Sequence, residues 1–348
     1  MLELTWERAA RIVPSSHIVI VCGRQHAEAV RRLVPIAGHR LLAEPARRNT
    51  AACIGIANLY IQQHDPAAVC CMMPADHLIE DGNAFRHTVE QAFVEAEEHD
   101  RLMLIGVQPS EPATGYGYIK IVRRGMGDGG RKTRHEKQAT SHELRATSVK
   151  PRVSRLAVYE VERFVEKPSV TQASRYTKNS MWLWNSGIFV WKAETILQRI
   201  YTHLPELGRG LQRLASLHSP AAWNGVLDQL YRRLPSISID RGVLQRERGL
   251  GVIKAPFDWR DVGTWPQLEQ CHPTDAVRNR TIGQHVGMDT QGSTIIGMDD
   301  RLIATLGVSD LLIVQTADAT FICPKSRIDG LRSLVQRING HRRLRQYL

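Results

Sequence analysis

Two aspartates far apart in the chain stand where carboxylates can do chemistry. Asp76 follows the apolar run Ala68-Val69-Cys70-Cys71-Met72-Met73, in Pro74-Ala75-Asp76-His77. Asp261 lies in Asp258-Trp259-Arg260-Asp261-Val262-Gly263-Thr264-Trp265. Two such carboxylates at strand ends can share one Mg²⁺, a hard cation that takes oxygen ligands and keeps phosphate and water ligands beside them. Taken singly, each aspartate also reads as a helix cap or turn former, and His77 as a hydrogen-bonded structural histidine. In Glu166-Lys167-Pro168, the glutamate can accept from sugar hydroxyls and the lysine can hold a phosphate as a point charge, although exposed Glu-Lys pairs are commonplace. The glycines of Thr114-Gly115-Tyr116-Gly117-Tyr118 either let backbone approach a ligand or make an ordinary tight turn. Arg48-Asn49-Thr50 offers donors to a base edge or a phosphate at a helix start, or a plain N-cap. Trp182, Trp184 and Trp191 read as packing.

These groups need a scaffold of alternating strands and helices. Short apolar runs at His17–Cys22, Arg40–Glu44, Ala68–Met73 and Leu102–Val107 predict buried strands. Helical spacing predicts helices over Arg24–Leu33, Thr50–Gln63 and Asn83–Glu98. That order predicts an α/β domain with a mainly parallel sheet, whose ligands sit beyond the carboxyl ends of the strands, where Asp76 falls. Further on, strands are expected at Ala157–Phe164, Trp184–Trp191 and from Gly251, and helices at Val170–Asn179 and from Glu194 to about Leu234. From about Thr281 short β segments recur at close spacing, closed by a helix over Arg327–Ile338. The division expected is an α/β domain over 1–275 and a small β-rich domain over 276–348.

Composition excludes several classes. The chain has 348 residues, 43% of them apolar and 23% charged, which sets it apart from disordered and collagen-like chains. No apolar run approaches the roughly 18 residues of a membrane span, and the acid-bearing N-terminus is not a secretory signal. The six cysteines form no C-x-x-C pair, so reduced core thiols and a cytoplasmic location are expected. The net charge of +11 is local: residues 123–155 hold ten basic and three acidic side chains. This stretch reads as a long surface insertion. No aromatic residue interleaves its basic run, which weakens a nucleic-acid role.

In order and spacing, the motifs resemble those of the mannose-1-phosphate guanylyltransferases, the nucleotidyltransferases that make GDP-mannose. The resemblance runs from about Leu4 to Ile338. It rests on Glu44-Pro45-Ala46-Arg47-Arg48-Asn49-Thr50-Ala51, Pro74-Ala75-Asp76-His77 and Thr114-Gly115-Tyr116-Gly117-Tyr118-Ile119, then on Phe164-Val165-Glu166-Lys167-Pro168, Trp184-Asn185-Ser186-Gly187-Ile188-Phe189 and Asp261-Val262-Gly263-Thr264-Trp265. It implies a Rossmann-like catalytic domain followed by a small β-helix-like domain. The implied substrates are GTP and mannose 1-phosphate, the product GDP-mannose and the cofactor Mg²⁺. Asp76 and Asp261 would hold the metal, and Lys167 would grip the sugar phosphate. Glu166, Asn185, Tyr116 and the Gly117 backbone would meet mannose. Glu44, Arg48, Asn49 and Thr50 would lie near the nucleotide. Assembly into homo-oligomers stays open.

The resemblance also implies an opening strand and a glycine-rich loop of the type Gly-Gly-x-Gly-x-Arg-Leu, whose backbone N–H groups would cradle the triphosphate. The 348 residues contain no such motif; Leu4-Thr5-Trp6-Glu7-Arg8 already matches the first helix. Two expectations follow: the start lies upstream, or the chain is an impaired or non-catalytic sugar-nucleotide-binding relative. The absent strand would sit centrally in the sheet and leave an open slot.

Overall fold

Side-chain alternation along the strands sorts the core into two layers. The computed structural model describes residues 1–123, 155–217, 220–263, 265–270 and 273–347. The chain forms two compact units, Met1–Trp259 and Arg260–Leu348. Nearly all of the basic insertion expected over 123–155 lies outside the described residues. Its last residue, Arg155, donates to the buried Glu95 at 2.7 Å.

The first unit runs α1 (Leu2–Ala10), β1 (Ile20–Gly23), α2 (Ala27–Leu33), β2 (Leu41–Glu44), α3 (Asn49–His64), β3 (Val69–Met72), β4 (His77–Ile79), α4 (Gly82–His99), β5 (Met103–Val107), β6 (Gly117–Arg123), β7 (Val158–Glu166), α5 (Val170–Thr177), β8 (Trp182–Lys192), α6 (Ala193–His203), α7 (Pro205–Ala215), α8 (Pro220–Arg233), α9 (Ile239–Gly242) and β9 (Gly251–Lys254). Strand β10 (Trp259–Asp261) carries the chain into the second unit. The helical stretch expected from Glu194 to about Leu234 consists of three helices. Pro205 and Pro220 each open a new helix, because proline lacks the N–H that would continue the previous one.

Six strands form one sheet in the order β3-β8-β5-β9-β7-β6, and β6 pairs again with β8, so the sheet curls back on itself. Strands β3, β5, β6 and β9 share a direction, as strand–helix alternation predicts. β7 and β8 run against them, so most neighbouring ladders are antiparallel. β5, Met-Leu-Ile-Gly-Val, is buried throughout between β8 and β9, as a continuous apolar run requires. Leu104, Ile119, Leu183, Phe189, Trp191 and Val252 face a core shared with α3, α6, α7 and α8. Their neighbours Met103, Ile105, Tyr118, Trp184, Ile188, Val190 and Ile253 face α4 and α5. Period-two alternation makes this division unavoidable once one residue of each strand is placed. Trp191 is fully buried, and its indole N–H reaches Asn58 Oδ1 at 3.2 Å.

Strands β1 and β2 form a separate parallel pair. Among the described residues no ladder joins β1 to β3. Helices span the interval instead. Val21 of β1 and Met72 of β3 both pack on the core that α3 lines. Leu2 and Trp6 of α1 pack with Ile20 and Cys22, while Thr5 Oγ1 and Arg8 Nη2 donate to the carbonyls of Ala75 and His77. The β1–β2 pair and the six-stranded sheet are thus separate sheets among the described residues.

The second unit contains α10 (Trp265–Gln270), β11 (Arg280–Ile282), β12 (His285–Met288), β13 (Thr294–Gly297), β14 (Ile303–Leu306), β15 (Leu311–Gln315), β16 (Thr320–Pro324) and α11 (Leu331–Gly340). β11, β13 and β15 stack as parallel rungs, β12 and β14 form a second parallel pair, and β16 closes the stack antiparallel. Ile295, Ile303 and Ile313 fill one interior cluster, and Ile296, Leu312 and Val314 another. At one corner Gly283 has φ +90°, and a Cβ there would meet the Gly297 carbonyl oxygen at 2.6 Å.

Candidate active site

Sheet register brings together residues that the sequence separates by nearly seventy positions. β6 lies between β7 and β8. Gly117 pairs with Glu166, and Tyr118 pairs with Trp184, which sets Asn185 beside Gly117. A Cβ on Gly117 would stand 2.8 Å from Glu166 Oε2 and 3.4 Å from Asn185 Cβ. The missing side chain therefore leaves the place where the glutamate carboxylate now lies. Lys167 follows Glu166 in the left-handed region at φ +51°, an uncommon conformation for lysine that concentrates at functional sites. The chain turns at once, because Ser169 caps α5 in a reciprocal box with Gln172. Lys167 is thus exposed at a sharp corner beside the glutamate.

Asn185 is held on both sides. Its Nδ2 donates to Asp240 Oδ1 at 2.8 Å, and its Oδ1 accepts from Gly187 N at 3.3 Å. Burial, followed by the charge of Asp240, holds the Glu166 carboxyl above its ordinary range, with Lys167 and Arg241 opposing. Burial also raises Asp240, offset by hydrogen bonds that include Asn185 and Ser238. Sequence reasoning misses Asp240, because residues 235–250 carry no periodicity that predicts an element. The available signal is Ser238, which caps the short α9 by accepting from Arg241 N.

The residues expected at the nucleotide are engaged within the protein. Arg48 donates from Nε to the Tyr231 carbonyl and from Nη2 to the Arg232 carbonyl, tying the start of α3 to the end of α8. Glu44 accepts from the Tyr231 hydroxyl at 2.7 Å. Burial pushes the Glu44 carboxyl up, and burial plus the neighbouring Glu44 charge pushes the Tyr231 phenol up. Asn49 has φ +64°, and its Oδ1 accepts from Thr50 N. Thr50 Oγ1 accepts from Ile239 N, and Ala51 N donates to the Ile237 carbonyl. The first turn of α3 is therefore satisfied by the segment leading to Asp240, not by a plain side-chain N-cap. Beside this group lies a cleft of about 320 Å³ lined by Arg24, Pro45, Ala46, Asp228, Tyr231 and Arg232. Arg24 and Asp228 pair across it at 2.7 Å.

Asp76 is exposed in the turn between β3 and β4. His77 behind it is buried and its Nδ1 has no hydrogen-bond partner. Burial lowers its pKa to about 4 against the raising effect of Asp76, so the imidazole is neutral at pH 7. Its ring packs edge-on against Trp259 with centroids 5.0 Å apart; Trp259 meets Tyr116 at 5.3 Å, and Tyr116 meets Trp184 at 5.1 Å. An aromatic chain thus links the turn bearing Asp76 to the strand bearing Asn185. Asp261 is the second residue of the second unit, and its Oδ1 accepts from Gly263 N at 3.0 Å. Both aspartates offer the hard oxygen donors that Mg²⁺ takes.

Comparison with known proteins identifies the families that the two parts of the chain match. The nucleotidyl transferase family matches residues 1–277, and a MannoseP isomerase/GMP-like beta-helix domain matches residues 283–338. A mannose-1-phosphate guanylyltransferase of Escherichia coli K12 is 30% identical over 329 residues, covering 92% of this chain and 63% of the relative. The xanthan biosynthesis protein XanB of Xanthomonas campestris is 29% identical over 351 residues, covering 98% and 66%. The chain thus spans just under two thirds of the length of these relatives. The crystal structure of a mannose-1-phosphate geranyltransferase from Thermus thermophilus superposes with a TM-score of 0.75 at 32% identity, covering 97% of this chain and 89% of that one.

Proposed function

The chain belongs to the nucleotidyl transferase family, and from that premise we propose that its reaction is guanylyl transfer between GTP and mannose 1-phosphate. A phosphate oxygen of mannose 1-phosphate attacks the α-phosphorus of GTP. The new P–O bond forms as the bond from the α-phosphorus to the bridging oxygen breaks, and pyrophosphate leaves with that electron pair. The observation that carries the sugar side is the Gly117–Glu166–Asn185 group, with Lys167 at its corner. The relatives' names support the choice of substrates.

Catalysis of this kind is largely positioning and charge neutralisation. Glu166 and Asn185 orient the sugar through its hydroxyls, the Gly117 backbone allows its close approach, and Lys167 neutralises the sugar phosphate. Asp76 and Asp261 are the residues proposed to hold Mg²⁺, which when bound neutralises phosphate charge. No helix among the described residues is long and apolar enough to cross a membrane, which accords with a proposed cytoplasmic site of action.

A second reading is favoured by one observation. Glu44, Arg48 and Thr50 are already engaged with Tyr231, Arg232 and Ile239, and so are held within the protein instead of being presented to a nucleotide. Turnover by the 348-residue chain is therefore expected to be severely reduced, with binding of GDP-mannose retained. Pyrophosphate release with GTP, mannose 1-phosphate and Mg²⁺ tests catalysis, and calorimetry with GDP-mannose tests binding. Family-like turnover would overturn the impairment. Absence of both turnover and binding at millimolar ligand would overturn the guanylyltransferase reading.

A further inference from the structure

We propose that Asp240 is a positioning residue of the sugar site, holding the Asn185 amide in one orientation beside the Glu166 carboxylate. The inference rests on the proposed sugar-phosphate reading of Gly117, Glu166 and Asn185.

Three observations carry it. First, Asn185 Nδ2 donates to Asp240 Oδ1 at 2.8 Å while Asn185 Oδ1 accepts from Gly187 N. An amide has a donor end and an acceptor end, whereas an ionised carboxylate only accepts. A flipped Asn185 would set its oxygen against the Asp240 oxygen and its NH₂ against the Gly187 N–H, two repulsive contacts in place of two bonds. The second Nδ2 hydrogen and the remaining lone pair of Oδ1 then keep fixed directions, which a hydroxyl-reading residue needs. Second, Asp240 sits on a braced segment. Ile237 O accepts from Ala51 N, Ile239 N donates to Thr50 Oγ1 at 2.9 Å, and Ser238 caps α9. The carboxylate is therefore located by the start of α3, the helix that carries the nucleotide-side motif. Third, the charge of Asp240 reaches Glu166, with Lys167 and Arg241 as the opposing charges on that group. Asp240 in turn feels Lys167 and accepts from Asn185 and Ser238. A carboxylate beside an acceptor carboxylate makes that acceptor more basic and a stronger partner for a sugar hydroxyl.

Two variants separate this role from a merely structural one. Asp240→Asn keeps an acceptor for Asn185 Nδ2 and removes the charge; Asp240→Ala removes both. Calorimetry with mannose 1-phosphate alone reads the sugar site without requiring turnover, and thermal unfolding reads the fold. For Asp240→Ala the dissociation constant is expected to rise by about tenfold or more, the size of one lost oriented hydrogen bond, with binding of GTP unchanged. For Asp240→Asn, affinity at neutral pH is expected to stay within about threefold of the parent, on the same scale. The acid limb of its binding profile moves to lower pH, because Glu166 loses a neighbouring negative charge. Should Asp240→Ala fail to fold, the shifted profile of Asp240→Asn still decides. An unshifted profile, or unchanged mannose 1-phosphate affinity in a folded Asp240→Ala, would overturn the role of Asp240 while leaving the sugar site intact. A parent chain that binds no mannose 1-phosphate would instead overturn the underlying reading, and this inference with it.

Discussion

Tyr231 donates its hydroxyl to Glu44 Oε1 across 2.7 Å, joining the end of β2 to helix α8 through residues 187 positions apart. The backbone carbonyl of the same tyrosine accepts from Arg48. One residue thus engages two members of the motif that runs from Glu44 to Thr50, Glu44 and Arg48.

Replacing Tyr231 by phenylalanine removes the donor and keeps the ring. The expected loss is about 1 kcal/mol at neutral pH. Glu44 already has its pKa raised by burial, and the Tyr231 bond opposes that rise. A raised carboxyl adds stability below its unfolded pKa and loses that contribution as pH rises through the folded value. The variant raises Glu44 further, so its deficit should be largest near pH 7 and fade below about pH 4, the ordinary glutamate range. Urea unfolding at the two pH values checks this; an equal deficit at both would refute the linkage.

His77 sets a pH dependence of the opposite sense. Its folded pKa is lowered to about 4 from the ordinary value of 6.5, so its contribution is present above the unfolded value and is lost as pH falls through that window. A shift of this size corresponds to roughly 3 kcal/mol between the two ends of the window. His77→Leu should flatten this part of the stability profile and leave the Arg8 bond to the residue 77 carbonyl in place. If acid titration of parent and variant gives parallel curves, His77 is not the group responsible.

Gly117→Ala is expected to separate binding from stability. The new methyl meets Glu166 Oε2 at 2.8 Å and Phe164 Cε1 at 3.3 Å, and the end of a glutamate side chain can move away. The fold should lose less than about 1 kcal/mol, as at sites with no rigid clash. The displaced carboxylate should weaken mannose 1-phosphate binding about tenfold. Parent-like affinity in a folded variant would show that Glu166 does not read the sugar from this position.

Gly283→Ala probes the second unit. Its φ of +90° and the backbone oxygen 2.6 Å from the added Cβ leave no flexible neighbour to yield. A cost of about 1–3 kcal/mol or more is expected from the strain alone. Hydrogen exchange should quicken in β11 and β13, which pair at this corner, while β5 amides keep their protection. Uniform quickening in both units would argue against a local effect.

Much of the scaffold was legible because it depends on local periodicity. The apolar run at Leu102–Val107 had to be a buried strand, and β5 is buried on every residue. Asn83–Glu98 had to be an amphipathic helix, and α4 adds one residue at each end. The interleaving of β7 and β8 was not legible, since strand direction and pairing are decided by contacts between distant segments. Nor was the second role of Arg48, whose bonds reach carbonyls more than 180 residues away. Asp240 stayed hidden for the same reason: its partner Asn185 lies 55 positions earlier, and nothing in the intervening sequence encodes their meeting.

By itself the sequence determined which residues were chemically available: carboxylates at strand ends, a glycine before a tyrosine, a glutamate and lysine before a proline. It also determined that the elements would alternate, because hydrophobic period and turn chemistry are local properties of the chain. The tertiary structure decided which of those residues meet. Register across β7, β6 and β8 set Gly117, Glu166 and Asn185 together. Packing of α8 on α7, which α3 also meets, brought Tyr231 to Glu44 and Arg48. Bracing of the loop before α9 brought Asp240 to Asn185. The physical reason is that hydrogen bonds and charges act over a few ångströms in space, so side chains far apart in sequence become partners only once the core has fixed their distance.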